Sequence, residues 1–281
     1  TRIGGGDRLQ HGLFAQFNAG KPGARVYVGA RHHFTGGPDK FFSPSAGFAL
    51  GRARWRFRGS GYRSFRVPTL NELYREFRVG NTVTLPNGAL QSETLTGGEI
   101  GFDFVGETTR LSGTAFVNSI DRIITNVTLS TGATITRQRQ NAATALAKGF
   151  EATVRRRFGS DWRGEAAYLY VDSRFETGPR VPQVPRHQGS AQLTYSKGRT
   201  FVAAGVRTFA YQFEDDLNLF VLGGYAAVQL AARQQLWKGV SATVAIENLL
   251  DRQYLTGFSP TPTIGAPRLW RAGLRWDGRL W

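Results

Sequence analysis

The sequence contains no cysteine and no methionine. Lack of cysteine excludes a disulfide framework, a thiolate zinc cluster and a thiol nucleophile, and makes the chain indifferent to the redox state of its compartment. Lack of methionine means that Thr1 is not a translation start, so a fragment or processed product is expected, with any signal peptide removed or upstream. Long apolar runs are missing too. No stretch approaches the roughly 18 to 20 residues that a membrane helix needs, and the hydrophobic content of 41% is concentrated nowhere. Histidine is scarce: the four present, His11, His32, His33 and His187, are too scattered for a metal site, and His32-His33 reads as a polar strand end. Ser190 lies near His187, but two side chains on one strand at that spacing do not converge into a triad. The 35 glycines include no phosphate loop that follows a strand and opens a helix. Neither catalysis nor a cofactor nor a bound metal is expected.

What the chain does have is charge and alternation. Lys and Arg number 36 against 20 acidic residues, a formal charge of +16. For a soluble protein that balance would suggest nucleic acid. Here, however, the arginines are spread singly through alternating segments, as at Arg54, Arg56 and Arg58, rather than gathered on a helix or tail, so no nucleic-acid partner is expected.

Ile100, Phe102 and Phe104 alternate with Glu99, Gly101 and Asp103. Val240, Ala242, Val244 and Ile246 alternate with Ser241, Thr243 and Glu247, and Trp270, Ala272, Leu274 and Trp276 with Arg271, Gly273 and Arg275. Period two marks strands with one apolar face. A negative mean hydropathy is compatible with this arrangement in a membrane, because only alternate residues need face lipid. From Phe48 and Leu50 to Trp55 and Phe57 the apolar parity switches, which places a tight reversal at Gly51-Arg52.

About thirteen strands follow, near 8–18, 24–34, 44–50, 53–66, 93–105, 107–129, 133–158, 161–175, 186–197, 199–213, 219–236, 239–255 and 266–276. Connections are short at 19–23, 51–52, 105–107, 159–160, 196–198 and 238–239. They are mostly longer at 35–43, 67–92, 176–185, 214–218 and 256–265. Short turns on one side and long loops on the other fit an all-β, antiparallel up-and-down transmembrane barrel. An odd strand count cannot close a meander by antiparallel pairing, so a partial barrel is expected. Trp55, Tyr62, Phe65, Trp162, Trp237, Tyr254, Trp270 and Trp276 fall at strand ends, where interfacial aromatic girdles sit. The basic parity then faces the lumen, with Arg54, Arg56 and Arg58 beside Glu99 and Asp103 on a neighbouring strand, close enough for cross-strand ion pairs.

Two segments carry a family resemblance. In Phe65-Arg66-Val67-Pro68-Thr69-Leu70-Asn71-Glu72-Leu73-Tyr74, Pro68 holds Val67 extended and Thr69 can cap a short helical turn. The chain then descends through Glu93-Thr94-Leu95-Thr96-Gly97-Gly98-Glu99. Asn248-Leu249-Leu250-Asp251-Arg252-Gln253-Tyr254 precedes Ile264-Gly265-Ala266-Pro267-Arg268 and the last strand. Together they resemble the C-terminal barrel region of TonB-dependent outer-membrane receptors. The chain departs from the family pattern at Leu250, where Phe is usual, and in the residues 277–281 that follow Trp276, so that either Trp276 or Trp281 could serve as the terminal aromatic.

The resemblance implies that residues 1–281 are one barrel domain, the C-terminal part of a barrel of about 22 strands with a plugged lumen, without the plug and the TonB-contacting segment. It implies a bacterial outer-membrane location and active uptake of a scarce solute, such as a ferric siderophore or cobalamin. The implied partners are the TonB complex, reached through an upstream plug region, outer-membrane lipid and lipopolysaccharide. Candidate solute contacts on the long loop and upper lumen are Tyr62, Arg66, Arg75, Arg78 and Asn81, cationic and amide groups suited to an anionic or oxygen-rich solute. Arg54, Arg56, Arg58, Glu99 and Asp103 are candidates for facing the lumen and plug. Arg75 and Arg78 could instead hold the loop or meet lipopolysaccharide phosphate. A plugless, porin-like diffusion channel with an anion-favouring basic lumen is the alternative. Asn126-Val127-Thr128, a glycosylation-like triplet, is assigned no function.

Overall fold

The computed structural model describes residues 5–35, 40–141, 144–258 and 261–277. Thirteen strands form one antiparallel sheet in sequential order. They are β1 (His11–Lys21), β2 (Ala24–Phe34), β3 (Lys40–Arg52), β4 (Trp55–Arg66), β5 (Glu93–Val105), β6 (Thr109–Asp121) and β7 (Ala145–Phe158), followed by β8 (Trp162–Phe175), β9 (His187–Lys197), β10 (Thr200–Phe209), β11 (Tyr225–Trp237), β12 (Val240–Glu247) and β13 (Leu269–Trp276). Among the described residues β1 and β13 are the free edges. With every neighbour antiparallel, these two strands run the same way and do not close the sheet on each other.

The register sorts side chains onto two faces. One carries Ala46, Phe48 and Leu50 on β3, Phe57 on β4 and Ile100, Phe102 and Phe104 on β5. It continues through Leu111, Ala115 and Val117 on β6, Val154 on β7, Leu193 on β9, and Val244 and Ile246 on β12. The other carries Arg56, Arg58 and Ser60 opposite Asp103, Gly101 and Glu99, then Ser112, Thr114, Glu151, Thr153, Arg155 and Glu165. Large side chains on the first face stay exposed, Ile100 at 63% and Leu274 at 77%. A single-layer sheet with one continuous apolar face needs an apolar surround, and the bilayer supplies it. Among the described residues no helix is long and apolar enough to cross a membrane, a statement that leaves a β-barrel untouched.

Trp55, Trp162, Trp237 and Trp276 all lie at the short-turn end of their strands. Trp55, Trp162 and Trp276 hold the apolar parity in register, giving a girdle at one interface. Two expected girdle members sit elsewhere. Tyr62 belongs to the polar parity, where its hydroxyl donates to Asn118 Oδ1 at 3.0 Å. Tyr254 lies in a loop and stacks on Tyr225 at 3.8 Å. Trp281 lies outside the described residues. The reversal expected at Gly51-Arg52 is two residues later, at Ala53-Arg54, with Arg52 paired to Trp55. Any two-residue loop flips the apolar parity, so the parity switch alone does not set its position.

Buried apolar residues cluster at the long-loop end: Leu73, Leu90 and Leu222 in loops, Ala145 and Phe175 at strand tops. Asn248 is 6% exposed there. Its amide nitrogen donates to the carbonyls of Arg252 and Ala266, both at 3.0 Å, and its oxygen accepts the Arg252 N–H at 2.9 Å. Asp251 Oδ1 accepts the Arg268 N–H at 2.9 Å, and Gly265 is bare because a Cβ there would meet the Tyr254 ring. The Asn248–Tyr254 motif is thus a brace for the last long loop. Asn248→Ala is expected to lower the unfolding free energy by about 1–2 kcal/mol by orphaning these buried groups. Asn248→Gly, which keeps the left-handed backbone but not the amide, should recover little of it in urea-induced unfolding from vesicles.

Candidate functional site: the long-loop platform

At the top of β4, Pro68 ends the strand and Thr69 opens α1 (Leu70–Tyr74) with a capping box. The Thr69 hydroxyl accepts the Glu72 N–H at 3.2 Å while the Glu72 carboxylate accepts the Thr69 N–H at 2.7 Å. Arg66 locks this turn to the barrel. Its Nε and Nη2 donate to the two Glu93 oxygens at 2.7 Å each, and Nη1 donates to Glu72 at 2.9 Å. With all three nitrogens engaged, Arg66 is a loop anchor.

Burial works to raise the Glu72 pKa, but the Thr69 backbone bond and the Arg66 guanidinium outweigh it and hold the carboxyl below its ordinary value of 4.5. A lowered folded pKa contributes stability that is present above the unfolded value and is lost as pH falls through the folded one. Protease susceptibility of 67–92 should therefore be flat with respect to Glu72 between pH 5 and 8 and rise as pH drops below 4.5. A Glu72→Gln variant should lose that rise.

Beyond α1, strands Phe77–Val79 and Thr82–Leu85 join Ile135–Asn141 and Ile124–Ser130 in a four-stranded sheet. Thr82–Leu85 pairs parallel with Ile135–Gln138, which welds the 67–92 and 122–144 loops together. Asn141 reinforces the weld: its amide nitrogen donates to the Gln91 and Arg122 carbonyls at 2.9 and 2.8 Å, and its oxygen accepts the Gln91 N–H at 2.7 Å. Further round, the Thr128 hydroxyl donates to Asp216 at 2.8 Å. The Asn218 side-chain oxygen accepts the Arg180 N–H at 2.7 Å and its amide nitrogen donates to the Arg180 carbonyl at 2.9 Å, and Phe220 stacks on Phe258 at 5.3 Å. The long loops from 67 to 258 form one connected platform.

The expected strands 107–129 and 133–158 ran through this platform as if it were barrel wall. In fact β6 ends at Asp121, Arg122 takes a left-handed φ of 58°, and the hairpin Ile124–Ser130/Ile135–Asn141 belongs to the loops. The signal was in the lengths, since about 9–11 residues suffice to span a bilayer.

The structure separates the candidate residues into three groups. Arg75, Arg78 and Asn81 are exposed on the platform, Arg75 with its guanidinium 6.0 Å from the Phe77 ring and Asn81 with its carbonyl accepting the Ile135 N–H at 2.9 Å. Arg137 and Arg139, half-buried on the central loop strand, join them and were not singled out from the sequence. Tyr62 and Arg66 lie below, in the wall. Arg56, Arg58, Glu99 and Asp103 share the polar face, with Arg58 Nε 3.6 Å from Asp103 and Nη2 donating to Thr114 at 2.7 Å. Arg54 departs from expectation: it sits in the Ala53-Arg54 turn at the opposite end, 2.9 Å from Glu107, and not on the strand with Arg56 and Arg58. Among the described residues no cluster of His, Asp and Glu could hold a metal ion.

Residues 1–249 match the family model described as TonB dependent receptor-like, beta-barrel. The chain belongs to that family. TonB-dependent receptors are outer-membrane transport receptors, not enzymes, and the open sheet is part of such a barrel. The ferripyoverdine receptor of Pseudomonas aeruginosa is 29% identical over 147 residues, 47% of this chain and 18% of the relative. Among solved structures, the copper transporter OprC superposes with a TM-score of 0.80 at 16% identity, over 96% of this chain and 49% of the other. The siderophore receptor PirA of Acinetobacter baumannii gives 0.77 at 18% identity, over 98% and 47%. The chain thus spans about half the length of these structures.

Proposed function

We propose that this receptor wall, residues 1–281 as one barrel domain, serves TonB-driven active uptake of a scarce solute of the ferric siderophore or cobalamin type. The observation that carries the reading is the welded loop platform, which presents Arg75, Arg78, Asn81, Arg137 and Arg139 above a polar lumen. Guanidinium and amide donors match the carboxylate, catecholate or hydroxamate oxygens of a chelated metal or the phosphate and amides of a corrinoid. Likeness to siderophore receptors favours the first class. Arg56, Arg58, Glu99 and Asp103 face the lumen, where a plug domain upstream would dock and contact the TonB complex.

The test is a panel of ferric siderophores and cobalamin titrated against the purified receptor by fluorescence quenching. Saturable binding of one class is expected, weakened about tenfold by Arg75→Ala/Arg78→Ala, with uptake lost in a strain lacking TonB. Non-saturable, TonB-independent entry would instead identify a diffusion channel.

A further inference from the structure

We propose that the lumenal groove at the short-turn end of β6–β8 binds a small, multiply charged oxyanion, held by Arg110, Arg155, Arg157 and Arg163. The groove lies at the opposite end of the wall from the loop platform, and the site does not depend on which solute the platform takes.

The ladder forces these cations together. Arg110 is in register with Arg155 across β6 and β7, and Arg157 with Arg163 across β7 and β8. All four belong to the polar parity and, with Glu165 and Thr194, line one groove of about 540 Å³. Directly opposed residues have Cβ atoms about 4.5–5.5 Å apart, and like charges placed so are destabilising. The two arginine pairs are two residues apart along β7, roughly 7 Å. An anion lying between them turns the repulsion into attraction.

Nearby carboxylates do not balance the groove. Glu165 pairs with Arg155 at 3.0 Å, and the Arg155 side chain is still 61% exposed. The Glu107 carboxylate is taken by Arg54 at 2.9 Å, while its backbone carbonyl accepts Arg157 Nη2 at 2.7 Å, a bond that fixes Arg157 without neutralising it. Among the described residues Arg110, Arg157 and Arg163 have no carboxylate partner. Elsewhere on the same parity arginines do find one: Arg58 stands 3.6 Å from Asp103 and Arg271 3.0 Å from Glu247. Past the groove the ladder turns neutral, with Gln192 opposite Glu165, Thr194 opposite Arg163, and then Gly205 and Ala203. The surplus charge is local.

Guanidinium groups fork onto carboxylate and phosphate oxygens. Two arginine pairs at this separation suit an anion with two or more charged groups, a diphosphate or a di- or tricarboxylate, better than a single charge. All four arginines are exposed, so a free anion can enter and leave. Arg157 and Arg163 adjoin Phe158 and Trp162 in the sequence, at the girdle beside the short turns, which places the bound anion where the lumen opens to the periplasm. On the uptake reading this is a last holding point for an anionic solute, but the binding itself is tested apart from that reading.

The full-length receptor, purified in detergent, would be titrated with pyrophosphate, and with acetate as the singly charged control, by calorimetry and by the rise in Tm. Sodium chloride at about 0.15 M screens charges beyond about 8 Å. Pyrophosphate should bind saturably and at least about tenfold more tightly than acetate. Arg110→Gln/Arg163→Gln breaks no ion pair and removes one member of each repelling pair. It should weaken pyrophosphate binding at least about tenfold while leaving the anion-free Tm equal to or above the parental value, and Lys238→Gln in a distant short turn should bind as the parent does. Absence of saturable binding, or equal binding by the double variant, would overturn the proposal. So would a fall in the anion-free Tm of the double variant, which would show that a fixed acidic side chain of the receptor already fills the groove.

Discussion

Arg66→Met is expected to make the 67–92 segment roughly thirty- to a hundredfold more susceptible to trypsin at Arg75 and Arg78, in intact cells as in vesicles. Arg66 is the only group that neutralises both Glu72 and Glu93 among the ion pairs of the described residues. The two carboxylates are 16% and 12% exposed, and without the guanidinium they face each other uncompensated at the root of the loop. Glu93 still accepts the Ile124 N–H at 2.6 Å, so it cannot swing away without also loosening the second welded loop. Breaking a buried pair from one side costs about 3–5 kcal/mol. With Arg66 itself 42% exposed, solvent screening reduces this to about 2–3 kcal/mol, and each 1.4 kcal/mol is about tenfold in the opening equilibrium. Arg66→Lys keeps the charge but loses the fork, and should fall between the two. If Arg66 contacts solute and nothing else, proteolysis will stay at the parental rate while binding alone declines.

Most of the wall was legible because period two is a strong signal when one face must meet lipid. All thirteen strands of the sheet were read from it, and so was the Arg58–Asp103 neighbourhood, while the Thr69 cap was read from the residues around Pro68. The platform was not legible for a physical reason. Its central contact is a parallel pairing between Thr82–Leu85 and Ile135–Gln138, segments far apart in sequence with no local turn to announce them. Ile124–Ser130 and Ile135–Asn141 are extended segments that follow β6 and precede β7 with only short breaks, so they merged with those strands. Arg137 and Arg139 were hidden for that reason, lying inside the expected strand 133–158 although they stand on the loops. Tyr62 shows the complementary limit: an aromatic near a strand end resembles a girdle residue until parity is traced across the ladder, where it falls on the side of Asn118. Gly97 leaves the room for that contact, since a Cβ there would meet Asn118 Oδ1 and lie 2.9 Å from the Tyr62 ring.

Parity also gives the sharpest energetic contrast in the molecule. Ile100 and Glu99 are adjacent near the middle of β5, so they share depth, strand and backbone geometry and differ only in face. Ile100 stands between Gly59 and Ala115 on the apolar side, Glu99 between Ser60 and Phe116 on the polar side. Ile100→Lys places an ammonium in the acyl core and should cost about 2–4 kcal/mol. The four-carbon stem cannot carry the charge to either interface from mid-depth, so snorkelling offers little relief. Glu99→Lys stays in a hydrated lumen and should change barrel stability by under about 1 kcal/mol. Urea titration of both variants refolded into vesicles measures the difference directly, and outer-membrane abundance should follow the same order. Equal penalties for the two would mean that both faces of β5 meet the same environment, and the lipid-facing assignment of the whole Ile100, Phe102, Phe104 parity would fail with them.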